Sequence, residues 1–227
     1  LGMGASALAT AKLKYKGTSI SLIGIDKNYH SKRNNFFAFW LTDWMKDFDS
    51  LAQKKWFCWN FYLTNNHIKH ETKDLPYCTI RYQDWKNYCL KGLENLSIKE
   101  FNVQSIKNLK KYYEIKLENG EEIFAKKIYD SRTPKLENEK VKQHFFGYLI
   151  ETKQMINSNS VTLMDFRVEQ KMGLHFMYCL PIDENRMLVE STVFSSEIQE
   201  DDWYQKQILK YIETKLNLSE YKIVDEE

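Results

Sequence analysis

The sequence is short of proline, with three in 227 residues, and no Pro- or Gly-rich linker cuts it cleanly into parts. Its length fits one large domain or two small ones. No repeat or low-complexity stretch is present, which excludes a solenoid or a disordered tail. No signal peptide is visible, and no apolar run reaches the roughly 18–20 residues of a spanning helix. Cys58, Cys78, Cys89 and Cys179 are scattered without a Cys-x-x-Cys pair. That spacing excludes a thiolate metal motif and reads as reduced, semi-buried thiols of a cytosolic protein. His67 and His70 lie three apart, but no third ligand is near them, so no metal site is expected. Charge of one sign is lacking too. Lys+Arg number 33 against 31 Asp+Glu, a net charge of +2 that does not mark a nucleic-acid binder. The lysines between 107 and 111 read as a solvated strand edge.

Aromatic residues are plentiful: 14 Tyr, 13 Phe and 6 Trp make 15% of the chain. Most belong to the core. The surplus suits a protein that handles a large apolar molecule or a carbocation, because ring faces attract positive charge.

Ala5 to about Lys14 is rich in Ala and Leu and predicts a helix stopped at Gly17. Ser19–Ile25 reads as a strand. The aromatic stretch 34–59 reads as loop, short helix and strand. Apolar residues at Trp85, Tyr88, Cys89, Leu93 and Leu96 predict an amphipathic helix over 82–96. Ile98–Ile106, Tyr112–Leu117 and Glu122–Ala125 form a meander, with Asn119-Gly120 as its hairpin turn. Lys127–Asp130 reads as a further short strand. Gln143–Thr152, Val161–Met164, Leu174–Leu180 and Arg186–Val193 make a second strand series. A helix over 202–216 and a strand from Tyr221 follow. The expected division is 1–60 (start of a nucleotide domain with an aromatic insert), 61–96 (insert leading into a helix), 97–132 (meander and return strand) and 133–227 (a β domain with a closing helix).

The opening Leu1-Gly2-Met3-Gly4-Ala5-Ser6-Ala7 is a Gly-x-Gly-x-x-Ala turn running into that first helix. In such a turn the first glycine permits a tight bend. The second lets the backbone approach a pyrophosphate at the positive end of the helix. Asp26, at the end of the next strand, stands where an acid grips ribose hydroxyls. The buried strand that normally precedes such a turn is not in this sequence, so the chain is expected to be a fragment.

Asp130-Ser131-Arg132 follows at a predicted strand end. Gln143-His144-Phe145-Phe146-Gly147, Met164-Asp165-Phe166-Arg167, Phe176-Met177-Tyr178-Cys179-Leu180-Pro181 and Leu188-Val189-Glu190-Ser191-Thr192 come after it. In this order, over nearly the whole chain, they resemble the flavin-dependent lycopene cyclases, the bacterial β-cyclase type included. The resemblance implies an α/β (α+β) fold: a Rossmann-like FAD-binding domain of the flavoprotein monooxygenase/reductase type, with a discontinuous, largely β substrate domain. It implies closure of β-ionone-type rings on lycopene or a related linear carotene, without net redox change. Reduced FAD serves as cofactor, NAD(P)H as reductant, and the enzyme is cytoplasmic and peripheral at a membrane surface. A flavin reductase or hydroxylase of isoprenoids shares the fold and is the alternative.

By the same resemblance the flavin falls to Gly2, Gly4, Ala5, Asp26 and Asp130, and the catalytic acid to Glu190. Plant relatives carry a second acid directly after that glutamate, where this chain has Ser191. The family's polar run before Phe39-Trp40 is replaced by Arg33-Asn34-Asn35-Phe36-Phe37, and the family continues beyond residue 227 into a segment that closes over the flavin. On its residues alone, Glu190 is either a solvated glutamate on a strand face or an acid kept protonated by apolar neighbours. Asp165 and Arg167 share a strand face. They are either an ion pair or members of the site, Asp165 as a second catalytic carboxylate. Glu169 reads as surface. Trp40, Trp56, Arg167 and Tyr178 are the candidate substrate contacts. Lys54-Lys55 beside Trp56, Phe57 and Trp59 is either an interfacial patch or a core strand with a charged start.

Overall fold

The computed structural model describes residues 1–30, 35–132 and 140–227. Arg33 and Asn34 of the replaced polar run lie outside the described residues. In chain order the elements are α1 (Ala5–Tyr15), β1 (Leu22–Ile25), β2 (Phe36–Trp40), a 3-10 helix (Asp43–Leu51), β3 (Lys54–Trp56), β4 (Cys58–Leu63) and β5 (Asn66–Glu71). There follow β6 (Tyr77–Arg81), α2 (Tyr82–Leu90), β7 (Leu96–Lys99), β8 (Val103–Asn108), β9 (Tyr113–Leu117) and β10 (Glu122–Ala125). The last are β11 (Lys142–Thr152), β12 (Val161–Asp165), β13 (Leu174–Pro181), β14 (Arg186–Ser195), α3 (Asp201–Thr214) and β15 (Tyr221–Glu226). The chain divides into two compact units, Leu1–Asn34 with Arg81–Lys135 and Asn35–Ile80 with Leu136–Glu227.

The first unit joins β1 and β7 in parallel, Leu22 opposite Leu96, and carries the antiparallel meander β10-β9-β8. Ile25, Ile115, Leu117 and Ile123 form a buried apolar cluster in it. Two expectations change here. The predicted helix over 82–96 ends at Leu90, because Gly92 takes φ +81°, a left-handed conformation that halts helices. The Asn95 side chain then donates to the carbonyls of Thr18 and Ile20, which hands Leu96 to the sheet. The predicted strand 127–130 is irregular backbone. Its backbone pairs with Leu1, whose amine donates to Tyr129 O (2.5 Å) and whose carbonyl accepts from Ser131 N–H (2.9 Å). One residue of ladder makes no strand.

The second unit is built on a seven-stranded sheet in the order β15-β11-β14-β13-β12-β4-β5, antiparallel except between β12 and β4. The β4–β5 hairpin was not anticipated from the sequence. Every residue of β5 is exposed, so no apolar alternation announces it. Successive residues of β14 face opposite sides. Met187 and Val189 pack with Ile208, Tyr211 and Ile212 of α3. Leu188 packs with Trp56, Trp59, Tyr77, Val161 and Leu180 on the other side. The aromatic stretch thus supplies a second core, held by the small sheet β2-β6-β3. Trp56 and Trp59 are buried, Lys55 pairs with Asp49, and Lys54 donates to Ser158. Lys54–Trp56 is therefore the core strand with a charged start.

Candidate active site

In the first unit the opening turn is held from three sides. Gly2 N–H donates to Ile25 O (2.8 Å), and Ser131 Oγ donates to the carbonyls of Leu1 (3.0 Å) and Gly2 (2.9 Å). Gly2 has φ +73°, and a methyl there would lie 3.0 Å from Ser131 Oγ, so both backbone and space demand glycine. Gly4 is the N-cap of α1. A methyl on it would meet nothing within 4 Å, and the first turn carries neither a capping side chain nor an acid. A helix N-terminus left open in this way offers its N–H groups and dipole to an anion. Asp26 accepts from Met3 N–H (2.7 Å) and Asn28 N–H (2.9 Å), placing a carboxylate at the rim of the turn. Asp130 forms a bidentate pair with Arg132, at 2.9 and 2.7 Å, and the guanidinium holds its carboxyl below the ordinary range. The uncapped turn, the open space over Gly4 and the adjacent carboxylate fit a dinucleotide pyrophosphate and ribose.

In the second unit the sequence candidates separate between the two faces of the sheet. Asp165 is fully buried, and a register shift between β12 and β13 accompanies its turn toward α3. It accepts from Arg167 Nε (2.9 Å), Arg167 Nη2 (2.6 Å), Arg167 N–H (3.0 Å) and Tyr211 OH (2.7 Å). Burial alone raises its pKa, but these donors outweigh burial and hold it below the ordinary value. Arg167 also lies 4.1 Å over the Tyr62 ring. Ser191 faces the same side, where His175 bridges it (2.9 Å) to the Glu169 carbonyl (2.8 Å). A second acid at position 191 would therefore point away from Glu190. A groove of about 570 Å³ opens on this side, lined by Arg167, Lys171 and Lys210 among others. It does not reach Glu190.

Glu190 projects to the opposite face, half-buried, with Thr192 Oγ1 donating to its Oε1 at 2.5 Å. Burial pushes its pKa up to about 7 against that one donor. Tyr178 stands directly across from it on β13, and its hydroxyl meets Tyr77 OH at 2.8 Å. Burial raises the Tyr178 pKa, so that phenol stays protonated. Trp56 lies in the same cluster, 6.3 Å from Tyr77, and its indole N–H has no hydrogen-bond partner among the described residues. Trp40 stands 4.8 Å from Tyr77 and 6.0 Å from Trp59, partly exposed. The structure thus gathers Glu190, Tyr178, Trp40 and Trp56 on one side and leaves Asp165 and Arg167 on the other. One further residue joins Glu190. Glu227 accepts from Phe36 N–H (3.3 Å), and its pKa rises to about 7 through burial and the nearness of Glu190. Its position after the last predicted strand gave no motif by which to find it.

The sequence profile of the family described as lycopene cyclase protein matches residues 1–227, and the chain belongs to that family. A search of curated proteins gives no significant match. Among solved structures, the chain is similar to Xcc4156, a flavin-dependent halogenase from Xanthomonas campestris, with a TM-score of 0.68 and 8% identity over 98% of this chain and 58% of that one. A variant of the halogenase PltM in complex with FAD gives 0.68 and 11%, over 100% and 58%. A geranylgeranyl bacteriochlorophyll reductase-like protein from Thermoplasma acidophilum gives 0.65 and 9%, over 98% and 61%. The fold is therefore the α/β flavoprotein fold of these enzymes, with a Rossmann-like part and a largely β part. The chain spans about three fifths of their length.

Proposed function

We propose that the protein is a lycopene cyclase of carotenoid biosynthesis, forming β-ionone-type rings on linear carotene ends by proton-initiated cyclisation without net redox change. The observation that carries this reading is Glu190, a carboxylic acid that burial keeps about half protonated at neutral pH beside a row of aromatic rings. Cyclisation needs a proton delivered to a carbon–carbon double bond and a tertiary cation kept from water. An acid with a pKa near 7 is matched to the first task, and aromatic faces to the second.

Gly2, Gly4 and Ala5 at the start of α1, with Asp26, would hold FAD by its pyrophosphate and ribose, and the Asp130–Arg132 pair would brace the turn. When bound in its reduced form, with NAD(P)H as reductant, the flavin supplies negative charge that favours a nearby cation. Asp165 serves as a positioning residue. Its carboxylate is charged and fully engaged, so it has no proton to give. No helix among the described residues is long and apolar enough to cross a membrane, and a polyene substrate calls for a peripheral, cytoplasmic-side attachment.

The test is pigment analysis of a lycopene-accumulating cell carrying the complete gene. Ring-bearing carotenes are expected with the wild type. Glu190→Gln should lower ring formation by about 10²–10⁴-fold, the usual worth of a general acid. An active Glu190→Gln protein removes the proton-donor assignment. Stoichiometric oxidation of nicotinamide per product replaces the cyclase reading with that of an isoprenoid reductase or hydroxylase.

A further inference from the structure

The line of residues across the sheet at Glu190 leads to a partner on another strand. Tyr178 on β13 pairs with Glu190 on β14, and Glu190 pairs with Gly147 on β11. Gly147 in turn exchanges both backbone hydrogen bonds with Glu227, at 2.9 and 3.1 Å. Residues directly opposite each other in a sheet project to the same side. Tyr178, Glu190 and Glu227 therefore share one face, with glycine standing between the two glutamates. The two backbones are two strands apart, on the order of 10 Å, too far for direct contact by short side chains. The missing side chain at 147 leaves the space between them open. A methyl there would lie 3.3 Å from Glu227 Cγ, 3.4 Å from Leu188 Cδ1 and 3.6 Å from Glu190 Cβ. Glu227 therefore reaches over the glycine, and Glu190 Cβ borders the same space from the other side.

We propose that Glu227 is the second carboxylate of the reaction, the base that takes up the proton lost at ring closure and returns it to Glu190 over Gly147. The assignment rests on the cyclase reading above. The step balances without an oxidant. The Glu190 O–H bond breaks as a C–H bond forms at the terminal double bond, leaving a tertiary cation. The inner double bond closes on that cation, forming the ring C–C bond and moving the charge inward. A C–H bond beside the new cation then breaks, its electron pair becomes the ring double bond, and its proton goes to the Glu227 carboxylate. One proton has moved from Glu190 to Glu227, and its return resets the pair.

The surroundings support one shared proton. The groups that face the pair are Tyr178 on β13, Tyr77 on β6, Phe36 N–H on β2 and Thr192 on β14, with Asp225 on β15 adding negative charge near Glu227. Among the described residues neither glutamate has a cationic partner. Two carboxylates in one apolar site ionise in two separated steps, because the second charge forms beside the first. Directly beside Glu190 in sequence, Ser191 faces the helix side, so the second acid on this face is the residue that follows β15.

The test compares Glu190→Gln, Glu227→Gln, Glu227→Asp and Gly147→Ala in the complete flavin-loaded enzyme, reading ring formation against pH with thermal unfolding alongside. Glu227→Gln is expected to lower kcat by about 10²-fold or more, to abolish the acidic limb of the profile, to leave KM nearly unchanged and not to lower the unfolding midpoint. Glu227→Asp should recover part of the rate. Gly147→Ala should slow turnover with both glutamates present. Infrared titration of the wild-type protein should resolve two carboxyl steps that merge to one in either single Gln variant, a readout that holds even where turnover is lost. Glu227→Gln turning over within threefold of wild type, or slowed with its acidic limb intact, overturns the assignment. An inactive Glu190→Gln beside a wild-type-like Glu227→Gln removes the base and keeps the cyclase. An active Glu190→Gln removes the proton donor itself.

Discussion

The two faces of the seven-stranded sheet each carry carboxyl groups out of ordinary contact with water, and they treat them in opposite ways. On the helix face Asp165 has four donors within 3.0 Å, and its pKa is held down. His175 is likewise bonded at both ring nitrogens. On the other face Glu190 and Glu227 have one donor each among the described residues, and both pKa values rise to about 7. Burial acts on all three. What differs is the supply of donors. Where donors are sufficient, a buried carboxylate stays charged and becomes part of the scaffold. Where they are withheld, it keeps a proton it can deliver. A site that cycles a proton is thus built by leaving hydrogen bonds out, and the well-bonded face steadies the strands that carry it.

Removing one partner tests this contrast most strongly. Asp165→Asn leaves Arg167 and Tyr211 without their acceptor charge. It is expected to lower unfolding stability by about 3 kcal/mol, toward the low end for a broken buried pair because Arg167 is partly exposed. Glu190→Gln on the other face should be neutral or stabilising at pH 7, since it removes a group that burial disfavours when charged. Denaturant midpoints of the two variants at matched pH decide the matter. Equal destabilisation would mean that Glu190 is a bonded scaffold group after all.

The pH dependence of stability should also differ in sign between the faces. Asp165 has a folded pKa below its ordinary 3.8, so its contribution is fully present above that value and is lost as pH falls through the folded pKa. Glu190 and Glu227 have folded values of about 7 against an ordinary 4.5. Their protonated forms favour the folded state, so their contribution is present below about pH 4.5 and lost as pH rises to about 7. That loss is on the order of a few kcal/mol for each group taken alone. Unfolding measured from pH 4 to 8 should show the decline shallower in Glu190→Gln and Glu227→Gln and unchanged in Asp165→Asn. A decline that survives both Gln variants would place its origin elsewhere.

Much of this arrangement was legible in the sequence, for reasons that particular residues make plain. The Gly2–Gly4 turn, Asp26 and the strand around Glu190 are local patterns in which the chemistry dictates residue type. Arg186–Val193 was readable as a strand, though not which side Glu190 would take. Asp165 and Arg167 were readable as a pair by their spacing. Their separation from Glu190 was not, because it depends on a register shift against β13. Glu227 was invisible for a similar reason. Its neighbour is 37 residues away in the chain and two strands away in the sheet, and only the pairing with Gly147 joins them.

The finest test adjusts the donor supply itself. Thr192 Oγ1 gives Glu190 a side-chain hydrogen bond, which favours the charged form. Thr192→Val keeps the shape and removes the donor. The Glu190 pKa should then rise further above 7, moving the basic limb of ring formation to higher pH. At pH 7 the rate should rise by no more than about twofold, since about half of the acid is already protonated there. Above pH 8 the variant should outperform wild type. Stability should stay within about 1 kcal/mol, the hydroxyl's lost hydrogen bond being offset by a methyl suited to an apolar face. A basic limb that stays in place, or moves to lower pH, would show that donors near Glu190 do not set its protonation. The contrast between the two faces would then reduce to burial alone.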